Sequence, residues 1–415
     1  MGFRAKTGDK GAKPCTRVVI SPALQALLVL SLLAASAASP LCAALPLLPD
    51  PLVLADATPV DSPALWAKRR AEMKAILEDT FTGHMPASPG NVTAETVRQQ
   101  TVAAGTEDYR LLQLRFGPRH SLGLRAALFA PHGQTRALPC IVFPTFTGTP
   151  GDERPPYADA KYVDVDPDRF ARDHASLFNH GYALLTFYYQ QGALDRPDNR
   201  STGFFPAYPD ADWGSLALWA WSASRGLDYL LSSSLADPSQ VVLVGHSRLG
   251  KAALIAGAFD ERFSLVVAAG SGCGGTGLFR VNGALRQGKE GLEEATHRFP
   301  QWFSPRLAAF SHRVEALPFD QHWLVALVAP RPFLDTEAFD DPACNGKASV
   351  ATFQAARSVY QFLHAEDRMG LHFREGGHAL TQDDWEAILD FADHQLRGKP
   401  TARDFSRIPE ASRLH

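Results

Sequence analysis

The chain has 415 residues, 45% of them hydrophobic and 20% charged, with a formal net charge of −3. These are ordinary globular proportions, so disorder is not indicated, and the length suits one large domain with insertions. There is no clustered Lys/Arg excess, which excludes a nucleic-acid footprint, and no internal repeat.

The first stretch differs in kind from the rest. Arg4, Lys6, Lys10, Lys13 and Arg17 precede an apolar run over 18–35, and Ala37, Ala38, Ala43 and Ala44 follow. A positive start, a short apolar middle and a small-residue end are the parts of a secretory signal, so 1–44 is expected to be removed on export. Ser21, Pro22 and Gln25 interrupt the run, which falls short of the ~20 apolar residues a spanning helix needs. The mature chain is therefore expected in the periplasm or outside the cell, with no stable membrane insertion. Cys42 follows Pro40 and Leu41 rather than the small residues of a lipid-attachment site. Export allows disulfides. Cys273 and Cys344 are one candidate pair, which sequence alone does not assign.

Residues 45–105 are expected to form a lead-in packed on a catalytic domain over 106–400, with a tail over 401–415. In the lead-in, 62–77 has helical spacing, with Leu65, Met73, Ile76 and Leu77 on one side. Strands are predicted over 109–116, 122–130 and 140–143, then a helix over 170–180 and a short buried strand over 182–188. A helix over 212–232, a strand over 241–245 and a helix over 249–259 come next. Strands over 265–269 and 333–336 and helices over 353–364 and 384–396 complete the pattern. Strands first, then strand and helix in alternation, give a mostly parallel sheet between two helical layers, the α/β-hydrolase arrangement. The later strands are apolar throughout, as burial on both faces demands.

Gly245, Ser247 and Gly250 form a G-x-S-x-x-G sequence, one residue longer than the G-x-S-x-G pattern, between a predicted strand and a predicted helix. That context makes the motif a nucleophile elbow. The turn is so tight that glycines are expected on either side of it, at 245 and 250. Ser247 then stands at a helix N-terminus, where orphan N–H groups favour a developing oxyanion. A serine hydroxyl needs a base, usually His, and in this fold the chain order is Ser, acid, His. His378 follows a strand and the Gly376–Gly377 turn and precedes the last helix, where a base belongs. His372 lies inside the strand and reads as structural. The acid should follow the strand over 333–336, where Glu337, Asp340 and Asp341 compete and spacing does not choose. A second oxyanion donor is expected from the loop 144–148. On residue type alone Arg248 and Lys251 read as helix-start charges as readily as site groups, and Glu290 as a surface residue. Trp302, between Phe299 and Phe303, is either core or a sugar-stacking face.

Further segments carry a resemblance. Gly-His-Ser-Arg-Leu-Gly-Lys (245–251), Ser-Gly-Cys-Gly-Gly (271–275), Phe-Pro-Gln-Trp-Phe (299–303), Asp-Gln-His (320–322), Ala-Pro-Arg-Pro (329–332) and Asp-Trp (384–385) resemble, in order, the glucuronoyl esterases of the bacterial branch. The resemblance covers roughly 140–395. It implies hydrolysis of the ester between (4-O-methyl-)glucuronic acid side chains of xylan and lignin alcohols, with no metal or organic cofactor. It implies Ser247 as nucleophile, His378 as base and, by ungapped match, Asp341 as acid. Arg248 is implied to assist the oxyanion, and Lys251 and Glu290 to hold sugar hydroxyls. The chain departs from the family at three places. Gly270 stands where fungal members carry the catalytic glutamate, Ala343 where bacterial relatives tend to have Trp, and His246 where fungal members have Cys. The expected partner is a glucuronoxylan–lignin ester, no nucleic acid is expected, and a monomer is expected. The alternatives are an acetylxylan esterase and, from another class, an inactive carbohydrate-binding protein on a hydrolase scaffold.

Overall fold

A computed structural model describes residues 1–2, 47–158, 162–282 and 291–414. In chain order α1 (Pro63–Leu77) precedes β1 (Thr93–Val102), β2 (Glu107–Phe116), β3 (Leu122–Pro131) and β4 (Leu138–Thr145). Then come β5 (Ala183–Tyr188), α2 (Ser215–Ser232), β6 (Ala236–His246), α3 (Arg248–Phe259) and β7 (Leu265–Ala269). The principal elements end with α4 (His322–Val328), β8 (Phe333–Ala338), α5 (Gly346–Phe362), β9 (Met369–Arg374) and α6 (Gln382–Arg397). Local chemistry sets several boundaries. The Ser62 hydroxyl accepts from Leu65 N ahead of Pro63, and Asn345 caps α5. Thr381 and Asp384 form a reciprocal capping box at the start of α6, which Gly398 ends at φ 65°.

The strands make one nine-stranded sheet in the order β1-β2-β3-β5-β4-β6-β7-β8-β9. Pairing is antiparallel from β1 to β5 and parallel from β5 to β9. Ile141, Val242, Val244 and Val267 face one core with Trp385 and Ile388 of α6. Their neighbours Val142, Leu243 and Val266 face another with residues of α2, α3 and α5. Each such side chain contributes about 1.5–3 kcal/mol on burial, which is why these strands carry no polar alternation. Parallel order also brings the carboxyl ends of β4, β6, β7, β8 and β9 to one edge, where an open α/β sheet binds its ligand.

Three expectations change. Residues 93–102, read as part of the lead-in, form the edge strand β1 on β2. All its residues but Val102 are exposed, so no apolar pattern announces it. The helix expected over 170–180 is two short ones, Pro167–Asp173 and Ala175–Asn179, broken where His174 leaves helical geometry (φ −115°, ψ 20°). Helix α5 begins at Gly346 rather than 353. The signal expected over 1–44 lies, from residue 3 onward, outside the described residues. Among the described residues no helix is long and apolar enough to cross a membrane.

Candidate active site

Strand β6 ends at His246 and helix α3 begins at Arg248, leaving one residue for the reversal. That residue is Ser247, at φ 57° and ψ −128°. A non-glycine residue held there stores about 1–3 kcal/mol, which the packed strand and helix on either side must enforce. The same tightness explains the glycines. A Cβ on Gly245 would lie 2.0 Å from Leu249 O, and one on Gly250 would meet Ala269 O at 3.0 Å and Gly245 O at 3.1 Å. Ser247 N donates to Ala269 O (2.8 Å), tying the turn to β7.

His378 stands in the loop between β9 and α6. Its Nδ1 lies 2.7 Å from Asp341 Oδ2, and its Nε2 lies 2.8 Å from Ser247 Oγ. A carboxylate can only accept, so Nδ1 carries the proton and Nε2 is left to accept from the serine hydroxyl. Asp341 follows β8, and its other oxygen accepts from Ala343 N (2.8 Å). Burial works against its charge, but the hydrogen bonds from His378 and Ala343 outweigh it and hold the carboxyl below its ordinary value.

The two competing acids do other things. Asp340 Oδ2 accepts from Gly376 N (3.2 Å), pinning the loop that carries His378. Glu337 is wholly buried on β8, where Oε1 accepts from Ser349 Oγ (2.9 Å) and Thr276 Oγ1 (3.3 Å). Burial pushes its carboxyl up to about 7. Of the three, Asp341 is the one bonded to His378.

Residues that no motif announced hold this arrangement. Arg374 grips the His378 loop from within: Nε donates to Asp384 Oδ2 (2.5 Å), and the guanidinium also reaches the carbonyls of Glu375, Gly377 and Ala379. Asp195 gathers the opposite wall. It pairs with Arg248 and accepts from Trp302 Nε1 (2.7 Å), Gln301 Nε2 (3.1 Å) and Tyr189 OH (3.3 Å). It lies in a loop 52 residues before Ser247 (195 to 247) with no local signature. Only tertiary structure shows that it positions Arg248. The Arg248 guanidinium also lies 5.7 Å from the Phe146 ring and 5.3 Å from the Trp302 ring.

Lys251 is buried one helical turn beyond Ser247, with Nζ donating to Ser271 O (2.6 Å) and standing 5.6 Å over the Trp302 ring. Trp302 was expected either as core or as a sugar-stacking face. The residue is 2% exposed and its ring stacks on Phe299 at 3.9 Å and 5°, the packing that the core reading expects. In the loop 144–148, where a second oxyanion donor was expected, Gly148 N is committed to Val163 O (3.0 Å). Gly270 has φ 49°, and a Cβ there would come within 3.6 Å of His378 Cε1, so this position does border the base. His246 packs under the elbow with its ring 4.9 Å from that of His378, and burial, then the neighbouring His378, lowers its pKa to about 4. Cys344 is a buried thiol, so no bridge joins it to Cys273. Glu290 lies outside the described residues.

This geometry can deprotonate a serine hydroxyl beside a cationic side chain at a helix N-terminus, the requirement for acyl transfer. Comparison with known proteins points the same way. The sequence profile of fungal glucuronyl esterases matches residues 170–364. The carbohydrate esterase MZ0003 from an unknown prokaryotic organism is 28% identical over 395 residues, covering 85% of this chain and 90% of that protein. A 4-O-methyl-glucuronoyl methylesterase of Schizophyllum commune is 27% identical over 86% of this chain and 84% of its own length. The solved carbohydrate esterase family 15 glucuronoyl esterase from Caldicellulosiruptor kristjansonii is 30% identical. It superposes with a TM-score of 0.70 over 87% of this chain and 93% of its own.

Proposed function

The chain belongs to the glucuronoyl esterases of carbohydrate esterase family 15, and from that membership we propose that it hydrolyses esters joining (4-O-methyl-)glucuronic acid of xylan to lignin alcohols. The observation that carries the reading is the unbroken hydrogen-bond chain Ser247–His378–Asp341. Ser247 Oγ attacks the uronate carbonyl as its proton passes to His378 Nε2. Asp341 holds the ring in the tautomer that can accept and offsets the imidazolium charge. Arg248, steadied by Asp195, supports the oxyanion. His378 returns the proton to the leaving alcohol, and a water activated by the same nitrogen then releases the uronate from the acyl-enzyme. We assign Lys251 and Glu290 to the sugar hydroxyls, Lys251 because it stands one turn beyond Ser247 on α3. The enzyme acts after export, as a monomer, on a polysaccharide-borne ester.

The test is hydrolysis of a benzyl ester of glucuronic acid beside acetylated xylan and p-nitrophenyl acetate, by wild type and Ser247→Ala. Uronate-ester turnover is expected to fall by about 10⁴ or more in the variant, the scale of nucleophile removal in serine hydrolases. Turnover that survives Ser247→Ala sinks the mechanism. Activity confined to acetyl esters moves the chain to the acetylxylan esterases.

A further inference from the structure

We propose that Asp341, Cys344 and His378 form an inhibitory site for a thiophilic divalent cation such as Zn²⁺, which silences the esterase by occupying Nδ1 of the base and leaves Ser247 untouched. The proposal rests on the assignment of His378 as base.

One ligand atom from each of the three lies within 4.8 Å of the other two, with Asp341 and Cys344 buried and His378 partly open. Carboxylate oxygen, thiolate sulfur and imidazole nitrogen are zinc's own donor set, at about 2.0–2.2, 2.3 and 2.0 Å. Tetrahedral geometry at those lengths separates the donors by roughly 3.3–3.5 Å. Nδ1 and Oδ2, at 2.7 Å, need only move apart slightly. Two ligands come from the single loop after β8, three residues apart, and the third from the loop after the neighbouring strand β9. Groups behind the ligands are already in place: Ala343 N holds Asp341 Oδ1, and Arg374 grips the loop of His378. The His378 side chain is 28% exposed, the open side of the cluster.

The protons balance simply. Binding releases the Cys344 thiol proton to solvent. The imidazole proton leaves Nδ1 and is regained at Nε2, so the ring stays neutral. Nε2–H then faces Ser247 Oγ as a donor and can accept nothing, so the nucleophile is present but has no base.

Zn²⁺ is titrated into the purified wild type and Cys344→Ser, and each rate is compared with its own metal-free value. Wild type is expected to be inhibited and restored by EDTA. Cys344→Ser is expected to need at least about tenfold more Zn²⁺, because even groups one shell outside a metal contribute 10–100-fold to its affinity. Cd²⁺ is added separately to Ser247→Ala, where a thiolate-to-metal absorption band in the near ultraviolet is expected. The band should be absent from Ser247→Ala/Cys344→Ser. Equal Zn²⁺ sensitivity of wild type and Cys344→Ser, or a band that survives loss of Cys344, overturns the proposal. Cys344→Ala serves the same comparisons if the serine variant does not fold. The absorption arm needs no turnover, so failure of the metal site is distinguishable from failure of the esterase reading.

Discussion

At the scale of single residues, Asp341 commits both oxygens, one to His378 Nδ1 and one to Ala343 N. Glu337 directs Oε1 into a pair of hydroxyls, those of Ser349 and Thr276. Asp341→Asn puts an amide against Nδ1 and favours the tautomer that cannot accept from Ser247. A fall in kcat of about 10³–10⁴ is expected, the scale of the same change in other Ser-His-Asp enzymes. Glu337→Gln should change kcat less than about tenfold, because it touches neither the base nor the nucleophile. Steady-state rates on the glucuronate ester separate the two, and a larger loss in Glu337→Gln would reverse the assignment. Ser247 and His378 were legible in the sequence because their signals are local: a glycine-framed turn and a Gly-Gly loop after a strand. Residue chemistry alone did not choose the acid, because three carboxylates crowd one loop, and only the family resemblance pointed to Asp341. Asp195 left no trace, since its role exists only once distant loops meet. Trp302 could be read both ways, and its stacking on Phe299 favours core.

At the scale of elements, the reversal from β6 to α3 is defined by what cannot fit. Gly245→Ala would place a methyl group 2.0 Å from the Leu249 carbonyl oxygen, a backbone atom that cannot turn aside. Overpacking of this kind costs about 1–3 kcal/mol and occasionally more. A lowered midpoint of thermal unfolding with a simultaneous loss of turnover is expected. An alanine variant of wild-type stability and rate would show that the turn is looser than described. The buried strands and long helices were readable because each has a face or a whole length to bury. Strand β1 has neither, since Glu95, Arg98 and Gln100 stand in solvent on an edge, and its pairing with β2 is fixed by backbone hydrogen bonds that no side chain advertises. The break at His174 was equally silent, because no glycine or proline marks it.

At the scale of the whole molecule, stability against pH sums groups that pull in opposite directions. Glu337 titrates at 4.5 in an ordinary setting and at about 7 in the fold, because burial disfavours its charge. The folded state therefore binds more protons than the unfolded chain between those values. Its contribution is complete below about 4.5 and is lost as pH rises to about 7. At ~1.4 kcal/mol per unit the span from 4.5 to about 7 amounts to roughly 3–4 kcal/mol. Asp341, held below its ordinary value, contributes in the opposite sense, and that part is lost as pH falls through the acid range. Buried His246, lowered to about 4, also weakens the fold as pH falls below its ordinary value of 6.5. Denaturant unfolding of wild type and Glu337→Gln at pH 5 and pH 8 isolates one contribution. Wild type should lose relative stability at pH 8, and parallel curves would show that Glu337 does not titrate in this window. Neighbouring strands of a parallel sheet deliver their ends to one edge, so the loops after β7 and β8 approach the same imidazole from adjacent seats. Gly270 occupies the first seat and Asp341 the second. A lineage can hold acids in both for a time and then discard either without passing through a dead intermediate. The acid's place in the chain is thus free to drift under selection, while the serine and histidine, each with one seat only, are not.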